Sequence, residues 1–146
     1  MTLDSMNDHI DQTTEKISDE TRERIKTASR SFLRLHKALL DTTKSEYETQ
    51  NGPIPSPNVY LQLVIDDPHF AWLRKLSSMI ALFDEATSLR RPATEIEAIA
   101  LINEAKVLLN FEDPDTAFND RLQTALQNSP QAVPGYNELL KLLQTI

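Results

Sequence analysis

The chain has 146 residues, 40% of them apolar and 25% charged, proportions that suit one globular domain. Glycine occurs twice, and leucine with alanine supplies 32 residues against 14 for valine with isoleucine, which excludes an all-β architecture built on glycine turns and β-branched strands. A net charge of −7 argues against general attraction to phosphate backbones or anionic lipid, and the lack of cysteine removes disulfides, thiolate metal sites and cysteine nucleophiles.

Residues 1–17 are polar, with Leu3, Met6, Ile10 and Ile17 near heptad spacing, and are expected to form an N-terminal arm, either flexible or ordered by a partner chain. Acids stand where a signal peptide carries a basic run, so none is expected. Ser18 or Asp19 caps a first helix that should run to about Gln50, where Gly52 and Pro53 stop it. Ile25, Ala28, Phe32, Leu35 and Leu39 form its apolar seam, widened by Leu33, His36, Leu40 and Tyr47. At about 1.5 Å per residue it is some 48 Å long, so several shorter elements or a second subunit must cover it.

The prolines at 53, 55 and 57 make a stiff spacer, after which Ser56 caps a short helix opening at Pro57. Asp67-Pro68 starts a helix expected to reach Ser88, with Trp72, Leu73, Leu76, Met79, Ile80 and Phe83 inward. Thr94 and Glu97 form a capping box before a helix that is apolar around most of its circumference and is expected to be central. Asp113-Pro114 opens another helix, which ends before Pro130, and a last one follows Pro134-Gly135. The fold class is therefore all-α: an antiparallel helical bundle of four to six helices with a long first helix, occupying residues 18–146. The apolar runs are broken by charges short of the roughly 20 residues a membrane span needs, so a soluble, cytoplasmic protein is expected.

Signatures of chemistry are few. Glycine at 52 and 135 alone permits neither a phosphate-cradling loop nor a nucleophile elbow, and none of the three histidines follows a glutamate at the spacing of a di-iron site. Asp66-x-x-His69 comes nearest to a ligand pair, but one pair holds a metal poorly, and no metal or cofactor is expected. Asp66 and Asp67 otherwise serve the helix start, leaving His69 in an exposed first turn. His36, among leucines and Phe32, should be buried against a polar partner. Trp72 either lines a pocket or plugs the core. His36, Asp66, His69, Trp72 and Arg74 are thus the candidate pocket residues.

Charge is unevenly spread: residues 22–44 hold seven basic side chains against Glu23 and Asp41, a net +5 that leaves −12 for the remainder. Lys26, Arg30, Lys37 and Lys44 share one strip of the first helix, a candidate surface for an acidic partner unless the strip is merely solvated or paired within the molecule. No nucleic-acid or membrane partner is expected.

The stretch from Leu33 to Glu85, and above all Asp67-Pro68-His69-Phe70-Ala71-Trp72-Leu73-Arg74, resembles a group of small bacterial all-helical proteins. The resemblance implies a bacterial cytosolic origin and one functional unit around His36 and Trp72; it supplies no activity, cofactor or site residue. Missing catalytic signatures favour a non-enzymatic module that self-associates or binds another protein through the long helix and the arm. The alternative is a small-molecule-binding or enzymatic bundle with a pocket near His36, Trp72 and Arg74.

Overall fold

The computed structural model describes residues 15–146, which form seven α-helices and one 3₁₀ turn. They are α1 (Asp19–Asn51), α2 (Pro57–Asp66), α3 (Pro68–Ala71), α4 (Arg74–Ala86), α5 (Glu95–Leu109), α6 (Thr116–Asn128) and α7 (Val133–Gln144), with the 3₁₀ turn at Pro130–Ala132. The described residues are all-helical, with one more helix than the upper end of the expected range.

The extra helix comes from a break inside the segment expected to run unbroken from Asp67. Leu73 N–H donates to Phe70 O and Leu76 N–H to Leu73 O, each at 3.1 Å, so the chain tightens to i→i+3 bonding there. Phe70, Leu73 and Leu76 on either side of this turn are all buried. No proline or glycine stands at the break.

Two helix starts also differ from expectation. α6 is capped by Asp115, whose carboxylate accepts from Phe118 N–H at 3.3 Å, and not by Asp113. The Asp113 carboxylate is already taken by Asp115 N–H and by Lys75 Nζ at 3.0 Å, while the buried Asn119 amide donates to Asp113 O at 2.8 Å. α7 begins at Val133 and takes in Pro134 and Gly135, because proline fits a first turn whose N–H groups lack helical partners.

α1 is the hub. Ser18 accepts from Thr21 N–H to start it, and Gly52, at φ +85°, ends it in a backbone region a β-carbon disfavours. Its seam of Ile25, Ala28, Phe32, Leu35 and Leu39 is covered by α3, α4, α6, α7 and the 3₁₀ turn, so shorter elements of the same chain supply the cover. Phe32 meets Phe83 edge-on at 5.9 Å between ring centres. α5, expected at the centre, stands at the periphery against α4 and α7. Ala98, Ile102, Ala105, Leu108 and Leu109 are buried against these neighbours, but Ile96, Ile99 and Val107 face outward.

The expected arm lies outside the described residues up to position 14. Beyond it, Ile17 is buried, and Lys16 forms an antiparallel bridge with Thr94. Ile17 N–H donates to Ala93 O and Glu95 N–H to Glu15 O, both at 3.0 Å, fixing this segment beside the start of α5.

Candidate functional site

Of the five pocket candidates, the structure brings two together. His69 and Trp72 lie on α3 and at the following break, facing Glu46 of α1 and Arg121 of α6. Asp67 caps α3 by accepting from His69 N–H at 2.8 Å, which turns the imidazole onto α1. His69 Nε2 lies 3.1 Å from Thr43 O, and a carbonyl only accepts, so Nε2 carries the proton. The ring is three-quarters buried, not in an exposed first turn. Its Nε2 is 3.8 Å from Glu46 Oε2, which takes a 2.9 Å bond from Arg121. The Arg121 guanidinium in turn lies 4.7 Å from the Trp72 ring centre.

This cluster is a clamp. The Glu46 carboxylate is neutralised by Arg121, the His69 proton is committed to a backbone carbonyl, and Trp72 Nε1 is buried without a partner among the described residues. General acid–base work needs a titrating nitrogen or oxygen turned toward a space for substrate, and here His69 Nε2 is turned onto Thr43 O and Glu46 Oε2 onto Arg121. Neither Glu46 nor Arg121 stands out in the sequence; their contribution depends on α3, α1 and α6 meeting.

The other three candidates lie elsewhere. Arg74 is exposed and donates to Ile65 O at the end of α2. Asp66 is exposed on a shallow apolar groove of about 470 Å³ between α2 and the start of α3. His36 is half-buried on α1, on the line of residues that carries Ser29 and Thr43, with no hydrogen bond among the described residues, and burial lowers its pKa below the ordinary 6.5. The polar partner expected for it is therefore not found there. Among the described residues, no three histidine, aspartate or glutamate side chains gather closely enough to hold a metal ion.

The basic strip is present on α1, partly engaged within the molecule. Lys26 is 3.9 Å from Glu23, Lys37 is 3.4 Å from Asp41, and Lys44 Nζ sits 4.9 Å from the Tyr60 ring centre. Arg30 reaches the Thr27 hydroxyl at 3.5 Å. The side chains of Lys37 and Asp41 are 80% and 58% exposed, and a pair so open to water contributes at most about 0.5 kcal/mol. Leu33, half-exposed, stands in the middle of the strip.

A second groove, of about 430 Å³, runs between the C-terminal half of α4 and α5. Leu82, Ala86, Ala93, Ala100 and Leu101 give it an apolar floor and wall, and the carboxylates of Glu85, Glu97 and Glu104 line it against the single guanidinium of Arg91. Next to it lies the outward face of α5 with Ile96, Ile99 and Val107. The sequence marked α5 as apolar around most of its circumference but could not show that one side of it lacks cover. No helix among the described residues is long and apolar enough to cross a membrane. No known protein family, characterised protein or solved structure matches the chain.

Proposed function

We propose that the protein is a non-enzymatic, antiparallel helical bundle that binds a helical protein partner in the groove between α4 and α5. The observation that carries this reading is α5 itself: a helix apolar around most of its circumference is expected to bury most of it, and here Ile96, Ile99 and Val107, beside the groove, stay outside. An amphipathic helix laid into an apolar groove is a recurring mode of recognition, and the groove's carboxylates select one whose apolar stripe is flanked by lysine or arginine. The antiparallel arrangement is supported by α1 and α4, where Ser29 meets Asp84 at 2.9 Å while Thr43, further along α1, meets His69 on the turn before α4.

Titration with a helical leucine–lysine peptide, followed by amide chemical shifts, tests the reading. The expected result is perturbation centred on Ala93, Ala100 and Leu101, weaker with Glu97→Gln/Glu104→Gln and absent with a leucine–glutamate peptide of equal length. Equal responses to both peptides, or shifts confined to other surfaces, would contradict it.

A further inference from the structure

We propose that the helix this groove receives is α1 of a second copy of the chain, docked through Arg30, Leu33 and Lys37. The inference rests on the groove reading above and names its occupant.

Charge and register support it. The groove presents Glu97 and Glu104 seven residues apart on α5, with Ala100 and Leu101 between them. The outer strip of α1 presents Arg30 and Lys37, also seven residues apart, with Leu33 between them. Seven residues span about 10.5 Å on either helix, so both cations can meet both carboxylates while Leu33 enters over the small Ala100. All three strip residues are exposed, as are Glu85, Glu97 and Glu104. Those three glutamates form no ion pair among the described residues, and Arg30 has none either. Lys37 leaves only its exposed pair with Asp41.

The chain's own N-terminal segment complements the groove less well. It emerges nearby, since Lys16 bridges Thr94, but it carries Asp4, Asp8, Asp11 and Glu15, the same sign as the groove's glutamates. The segment of this chain with the opposite charge is α1, where residues 22–44 sum to +5.

Strip and groove are different surfaces, so the contact is heterologous: it closes into a ring or continues as a chain of subunits, and each copy offers one of each half. This gives a decisive test by sedimentation velocity on the full chain over a wide concentration range. Wild type should associate as concentration rises and dissociate as salt approaches about 1 M, where screening shortens to about 3 Å. Arg30→Glu/Lys37→Glu, which breaks the strip, and Glu97→Lys/Glu104→Lys, which breaks the groove, should each be monomeric. Mixed one to one, they should associate again, because the intact strip of one meets the intact groove of the other and the two reversed halves are also opposite in charge. The milder pair Glu97→Gln/Glu104→Gln, with helicity checked by circular dichroism, covers the case in which the lysine variant misfolds; it should weaken association at least tenfold. A monomeric wild type, association unchanged in either variant, or a mixture that stays monomeric overturns the proposal. If wild type is monomeric while the leucine–lysine peptide still fills the groove, the second copy is the wrong occupant and the groove reading stands. If neither binds, both fail.

Discussion

α1 and α5 use apolar side chains in opposite ways. α1 directs Ile25, Phe32, Leu35 and Leu39 into a core closed by shorter elements of the chain, and its outer side is basic. α5 buries Ala98, Ile102, Ala105 and Leu109 but leaves Ile96, Ile99 and Val107 outside. The contrast separates burial that holds the fold from apolar surface the fold does not need. A seam with a polar reverse side is complete in the monomer, whereas an apolar helix at the edge of the molecule leaves the surface on which the proposed partner would bind.

The largest effect should come from the core side of this contrast. Phe32→Ala removes a fully buried ring that meets Phe83 and should cost about 3–5 kcal/mol in urea unfolding, whereas Ile99→Ala on the outer face of α5 should cost under about 1 kcal/mol. Comparable losses at the two positions would erase the distinction.

The clamp at α3 ranks next. Glu46→Ala strips Arg121 of its partner and should destabilise by about 1.5–3 kcal/mol, with the loss seen first as faster hydrogen exchange in α3. If Glu46→Ala instead left stability intact and abolished a ligand or an activity, the cluster would be a site and not a clamp.

A smaller gain is expected at Gly135. It is helical, has ordinary backbone angles, and a β-carbon there would meet nothing within 4 Å, so Gly135→Ala should stabilise by about 0.5–1 kcal/mol. Gly52→Ala should destabilise, because the +85° φ that ends α1 is strained for any residue with a β-carbon.

The smallest effect is a pH dependence. Burial holds the folded His36 imidazole below 6.5, so around that pH the unfolded chain binds a proton that the folded chain does not. Stability should fall as pH drops from about 8 to about 5, and His36→Gln should flatten that part of the profile. An unchanged slope in the variant would place the proton uptake on other groups.

Much of the fold was legible where local chemistry decides it. Ser18, Ser56 and Thr94 act as the caps their positions announce, and Gly52 ends α1. The break after α3 was not legible from turn residues, because no proline or glycine stands at it. Asp113 carries the same aspartate–proline sequence as Asp67 and accepts the same bond from the N–H two residues on, yet the helix starts later, at Asp115, while Lys75 from α4 also holds the Asp113 carboxylate. Long-range pairing likewise made Glu46 and Arg121 invisible beforehand and separated Arg74 and Asp66 from Trp72. The apolar circumference of α5 could be read directly, but its place at the edge depends on which helix the others choose as hub.

Leu82→Gln tests the central claim most directly, because Leu82 lines the groove yet is 44% exposed and lies outside the buried core. One sample should give two readings: an unfolding midpoint equivalent to less than about 0.5 kcal/mol of change, and a loss of at least tenfold in affinity for the leucine–lysine peptide. A variant that unfolds much more easily, or that binds the peptide as wild type does, would contradict the account.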